Sequence, residues 1–187
     1  TQSINVANVI KSPHLISVSN RAMGVFYELI IDYDNAMKYY IEALKYAKLS
    51  EQPDDLAMVY NNLGNVLNAQ GDYLEAANYF KESMKIHKSV NNIEMEMNAT
   101  TGLGISYLKD QQTELARTTL ESVLANDANI SGFTYSEATV NLAHVYQQLG
   151  LSERAIELYK FVISDPKGGA YPPAVASSFL GLAELLT

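Results

Sequence analysis

The chain has 187 residues, 48% of them apolar and 18% charged, with only 10 glycines and 5 prolines. That is enough apolar material for one folded unit or two small ones, and it excludes a disordered tail. Its 21 acidic side chains outnumber 13 basic ones, and the net charge of −8 weighs against nucleic acid or an acidic lipid surface as a partner. Cysteine is absent, which excludes disulfides, thiolate nucleophiles and Cys-ligated zinc.

Residues 1–12 read as an N-terminal extension; Thr1 to Lys11 has neither the basic opening nor the apolar run of a signal peptide. Ser12-Pro13 then opens a helix over 13–30, with Pro at a first helical position where its missing N–H is harmless. A second helix is expected over 34–49. Gln52-Pro53-Asp54-Asp55 starts a third over 54–70, with acids in the first turn where the helix dipole favours them. The apolar spacing continues through 73–89, 93–109, 112–126, 134–149 and 152–164, and a last helix runs from about 173 to 186. Asp32-Tyr33, Gly71-Asp72, Asp110-Gln111 and Gly150-Leu151 supply turns, the glycines suiting a left-handed helix end. Asp165 to Pro173 reads as a turn-rich, mobile connector. No strand pattern occurs. Ala174 to Leu186, interrupted by Ser177, Ser178 and Glu184, falls short of the ~20 residues of a membrane span.

The pattern is periodic. Small residues stand at Gly24, Gly64, Gly104, Ala143 and Ala183, spaced 40, 40, 39 and 40 apart. Each of the first four is followed twelve residues later by an alanine: Ala36, Ala76, Ala116 and Ala155. Met23-Gly24-x-x-Tyr27 with Ala36-x-x-x-Tyr40 is repeated as Leu63-Gly64-x-x-Leu67 with Ala76-x-x-x-Phe80. Leu103-Gly104-x-x-Tyr107 with Ala116-x-x-x-Leu120, and Leu142-Ala143-x-x-Tyr146 with Ala155-x-x-x-Tyr159, are the third and fourth copies. Residues three and four apart share a helix face, so each copy is two helices whose small residue lets the partner approach.

This text resembles the tetratricopeptide repeat family, whose W-x₂-L-G-x₂-Y…A-x₃-F…P pattern it matches in all but the Trp and the final Pro. The period of ~40 exceeds the usual ~34 and is similar to the long-repeat subgroup found in signalling proteins. Leu67 stands where Tyr is usual, and Thr113 and Ser152 stand where the other copies have Tyr33 and Tyr73. The resemblance implies an all-α, right-handed superhelical solenoid of antiparallel helix pairs, in one repeat domain spanning 1–187. The repeats would be 17–56, 57–96, 97–135, 136–175 and an incomplete fifth from 176.

In this family the first helix of each pair lines a concave groove. Carried onto this chain, the partner-binding positions are Arg21, Val25, Glu28, Asn61, Asn65, Asn68, Asn98, Thr101, Ile105, Leu108, Lys109, His144 and Gln147, with Val18, Met58, Glu137, Val140 and Gln148 beside them. Asn61, Asn65 and Asn68 fall on consecutive turns, and amides offering both donors and an acceptor suit the backbone of an extended peptide. The family's two-carboxylate clamp for chaperone tails would fall on Arg21, Val25, Asn62, Asn98 and Gly102; only Arg21 and Asn62 fit, which argues against a chaperone cofactor.

No enzymatic activity, metal or cofactor is expected. His14, His87 and His144 lie far apart, Gly102-Leu103-Gly104 sits inside a helical stripe, and Gly168-Gly169 lacks the Lys-Ser/Thr of a phosphate loop. His144 is the best titratable candidate. Of the thirteen tyrosines, Tyr27, Tyr40, Tyr107, Tyr146 and Tyr159 are read as inter-helix packing residues. The expected role is a protein- or peptide-binding module, by analogy the sensory or regulatory part of a larger bacterial signalling protein, in a soluble cytoplasmic or periplasmic segment. The alternative is an assembly scaffold that forms homo-oligomers through a terminal helix exposing Phe179, Leu180, Leu182, Leu185 and Leu186. The chain lacks an initiator Met and ends mid-pattern, as a segment of a longer protein would.

Overall fold

The computed structural model describes residues 12–164 and 171–186; the N-terminal extension, the Gly168-Gly169 loop and most of the expected connector lie outside the described residues. Among the described residues there are nine α-helices and no strand. They are α1 Pro13–Leu29, α2 Tyr33–Ala47, α3 Pro53–Gln70, α4 Tyr73–Ser89, α5 Ile93–Lys109, α6 Thr113–Leu124, α7 Gly132–Gln148, α8 Ser152–Ser164 and α9 Pro172–Leu186. The chain divides into two compact units, residues 1–92 and 93–187.

Helix starts follow local chemistry. Ser12 accepts the Leu15 amide at 3.4 Å with Pro13 behind it, Asp32 accepts the Asn35 amide at 3.2 Å, and Ser131 accepts that of Thr134 at 3.3 Å. Within every pair the turn is closed the same way. The amide of Asp32, Asp72, Gln112 or Leu151 reaches back to the carbonyl of Tyr27, Leu67, Tyr107 or Tyr146, at 2.8–2.9 Å. That closure puts the preceding residue in the left-handed region: Ile31 at φ 63°, Gly71 at 94°, Gln111 at 61° and Gly150 at 73°. Glycine therefore fills only two of four equivalent positions. Asp32 caps α2 and Tyr33 begins it, so the first turn is one residue earlier than the expected Asp32-Tyr33.

In the first unit α2 packs between α1 and α3, and α4 packs on α3. The core is Ala36, Tyr40, Ala43 and Ala47 of α2 against Val59, Leu63 and Val66 of α3. Ring and glycine interlock: a Cβ on Gly24 would lie 2.3 Å from the Tyr40 ring, and one on Gly64 2.8 Å from Phe80. In the second unit α6 packs between α5 and α7, α8 between α7 and α9, over a core of Leu120, Val123, Leu142, Val145, Tyr159 and Val162. Gly104 repeats the device against Leu120, at 2.6 Å.

The fifth copy departs from the sequence expectation. Ala183 is exposed, and the close approach belongs to Gly181, where a Cβ would lie 2.3 Å from the Tyr159 ring. The Gly/Ala position faces the second helix of its own pair, and α9 packs instead on α8 of the pair before it. Of the expected apolar face, Phe179, Leu180 and Leu186 are exposed, whereas Leu182 and Leu185 pack against the core.

Candidate partner-binding face

The first helices of the first unit, α1 and α3, touch one another and carry Arg21, Val25 and Glu28 beside Asn61, Asn65 and Asn68. Val25 and Asn65 are exposed, one residue past the glycines that face the second helices, so they point off the packing stripe. Arg21 and Asn61 are half-buried, and the Arg21 Nε is buried without a hydrogen-bond partner. Glu28 accepts the Tyr40 hydroxyl at 2.7 Å. Burial nevertheless raises the Glu28 carboxyl above its ordinary range, the Tyr40 bond pulling the other way. Tyr40 is raised as well, by burial and then by Glu28.

Asn68 occupies the Glu28 position in the second repeat. Its underlying ring is Phe80, which has no hydroxyl, and the Asn68 carbonyl oxygen is buried without a partner at 8% exposure. In the third repeat the equivalent pair is Leu108 over Leu120, and in the fourth Gln147 over Tyr159, where the hydroxyl lies 2.8 Å from Gln147 Oε1. Polar residues are thus matched to tyrosines in the outer repeats, and the second repeat alone of these four pairs leaves an amide unmatched.

In the second unit the structure sorts the expected positions differently. Thr101 is fully buried and donates to the Met97 carbonyl of its own helix, and Leu108 is buried to the same 8% exposure as Asn68. Asn98 and Ile105 are half-buried and Lys109 is exposed. His144 is engaged at both ring nitrogens: Nδ1 lies 2.7 Å from the Tyr159 hydroxyl and Nε2 2.9 Å from Ser177 Oγ. Burial pushes the His144 imidazole below its ordinary value, with Glu184 opposing. Gln147 donates to Glu184 at 2.9 Å.

Beside His144, an open cavity of about 150 Å³ is lined by Glu137, Val140, Asn141, Tyr171, Pro173, Ala174 and Ser177. Sequence reasoning placed Glu137 and Val140 on the binding face and missed the rest. The repeat held the signal for Ser177: counting from each helix start, it occupies the position of Val18, Met58, Asn98 and Glu137. No group of three or more His, Asp or Glu among the described residues is placed to hold a metal ion. No described helix is long and apolar enough to cross a membrane.

These helix pairs match what comparison finds. Profiles described as tetratricopeptide repeat match residues 15–89, 101–129 and 138–164. The chain is a tetratricopeptide repeat protein, all-α, of a family whose repeats typically serve protein–protein interaction. No curated protein matches it. Among solved structures it is similar to BtubC (BKLC) from P. vanneervenii, with a TM-score of 0.68 and 18% identity over 93% of this chain and 66% of that one. It is also similar to the nearly identical TPR-like repeats of a Podosopora anserina protein described as a kinesin light chain, with a TM-score of 0.69 and 18% identity over 93% and 92%. At that identity the likeness is one of fold.

Proposed function

We propose that the chain is a non-enzymatic partner-binding module that takes an extended polypeptide along the α1 and α3 face of its first unit. Asn65 and Asn68, with Asn61 a turn earlier, supply amides to the partner's backbone, Val25 packs its side chains, and Arg21 offers a cation to an acidic one. The observation that carries this reading is that Val25 and Asn65 stand exposed, off the packing stripe, on two first helices that touch one another. A place as the sensory or regulatory part of a larger signalling protein, in bacteria by analogy with long-repeat relatives, fits such a role.

The test is selection of a random peptide library against the chain, followed by affinity measurement on Asn65→Ala and Asn68→Leu. Binders should lose about fivefold or more on each, the loss of roughly one net hydrogen bond. Binders indifferent to both would remove this face from the function.

A second reading draws on α9, where Phe179, Leu180 and Leu186 are 57%, 67% and 71% exposed. Here the chain assembles through that helix. Sedimentation of the wild type and of Phe179→Glu with Leu180→Glu decides: concentration-dependent association abolished by the pair supports assembly, and a monomer at all concentrations ends it.

A further inference from the structure

The cavity between α7 and α9 can be assigned a chemistry by counting hydrogens. Gln147 donates Nε2 to Glu184, which turns its Oε1 toward Tyr159. The single Tyr159 proton goes to that oxygen at 2.8 Å, so the 2.7 Å contact with His144 Nδ1 requires the imidazole to donate to the Tyr159 oxygen. With the imidazole held neutral by burial, Nε2 keeps its lone pair, and the 2.9 Å contact with Ser177 is the serine hydroxyl donating. Ser177 therefore faces the cavity with lone pairs alone.

The other polar groups agree in sign. Asn141 turns its Nδ2 to the Glu137 carbonyl of its own helix at 2.8 Å, leaving Oδ1 as its free end. Glu137 is a desolvated carboxyl raised by burial, and among the described residues no donor or cation acts on it. Tyr171, steadied against Phe133 at 4.6 Å between ring centroids, adds a ring face and a hydroxyl that can donate or accept. Val140, Pro173 and Ala174 supply apolar wall. Residues 93–187 carry 11 acidic and 5 basic side chains, so the unit as a whole attracts cations.

We infer that this cavity binds a guanidinium group, presented by an arginine side chain of a partner polypeptide. One carboxylate, two neutral acceptors and an aromatic ring match a planar, donor-only cation whose methylene stem lies along the apolar wall. The guanidinium assignment stands by itself. The polypeptide source rests on the proposed function, and its readout lies in the second unit, apart from Asn65 and Asn68.

The experiment titrates n-butylguanidinium into the full chain and follows backbone amide resonances. Saturable shifts at Glu137, Asn141, Ala174 and Ser177 are expected, with Kd in the millimolar range proper to so small a ligand. Glu137→Gln should weaken binding tenfold or more while the spectrum elsewhere stays folded. Ser177→Ala, which removes one neutral acceptor from the half-buried wall and keeps the carboxylate, should weaken it severalfold. Absence of shifts, equal shifts with n-butyrate, or indifference to both variants overturns the assignment. An acetyl-Gly-Arg-Gly-amide peptide binding at least as tightly as n-butylguanidinium supports the polypeptide source; weaker binding overturns that half and leaves a free alkylguanidine.

Discussion

Tyr40 donates its hydroxyl to the Glu28 carboxylate across 2.7 Å, from the second helix of the first repeat to the first. The same two positions hold Phe80 and Asn68 in the next repeat, where the acceptor is left alone. Tyr40→Phe should therefore lower stability by about 1–2 kcal/mol, since it strands a half-buried carboxylate. Phe80→Tyr should do the reverse, raising stability by about 0.5–1.5 kcal/mol by giving Asn68 a donor. Denaturant titration of each variant measures both.

The pair turns give a second prediction. Ile31 and Gln111 hold the left-handed conformation that Gly71 and Gly150 hold in the equivalent turns. A β-branched residue at φ 63° is strained by roughly 1–2 kcal/mol, and Ile31 is 72% exposed, so little burial opposes its replacement. Ile31→Gly should raise stability by about 0.5–1 kcal/mol after the entropy of glycine is subtracted, and the thermal midpoint with it. A lower midpoint would mean that the side chain contributes packing.

Small residues on the first helices are set by the bulky side chain opposite. Gly24→Ala places a Cβ 2.3 Å from the Tyr40 ring in a closed core and should cost about 1–3 kcal/mol. Ala143→Gly, at the equivalent position of the fourth repeat, should cost about 1–2 kcal/mol, the helix propensity difference and one buried methyl. The two substitutions run in opposite chemical directions, and calorimetry of both tests whether each site is fitted to its own side-chain volume.

Two buried groups make stability depend on pH in opposite senses. The Glu137 carboxyl is raised by burial, so below its ordinary 4.5 both folded and unfolded chains are protonated, and above it the folded chain is penalised. Glu137→Gln should raise the melting temperature at pH 7.5 and leave it unchanged at pH 4. His144 is lowered by burial, so its contribution is intact above 6.5 and fades as pH falls toward the folded value. His144→Gln should flatten the stability profile between pH 7 and 5.

Glu94 ties the two repeats of the second unit together. From the first turn of α5 it accepts the Ser131 amide at 2.7 Å, the Ser131 hydroxyl at 2.8 Å and the Thr134 hydroxyl at 2.7 Å at the start of α7. Burial raises its carboxyl, but those three bonds outweigh it and the net shift is downward. Glu94→Ala should cost about 1–2 kcal/mol at pH 7, for charged hydrogen bonds in a partly exposed site, with the loss shrinking as pH falls below 4.5. Urea unfolding at both pH values checks it.

Helix number and ends were legible because apolar residues recur every three or four positions, and the structure places each end within two residues of the expectation. The binding positions were less legible. Thr101 and Asn61 occupy the same place in their repeats, yet one is sealed inside and the other half-buried, which spacing along the chain does not reveal. Ser177 escaped notice because a serine in an apolar run looks like dilution until the repeat register puts it beneath His144.

The sequence by itself determined the repeat, the helix pairs and the glycine-to-ring contacts within the first two pairs, since these depend on spacing along one chain and on residue size. Only the tertiary structure decided which polar groups have partners. A hydrogen bond requires two atoms brought within about 3 Å, and Tyr159 with His144, or Glu94 with Ser131, meet through packing between helices that no local pattern encodes.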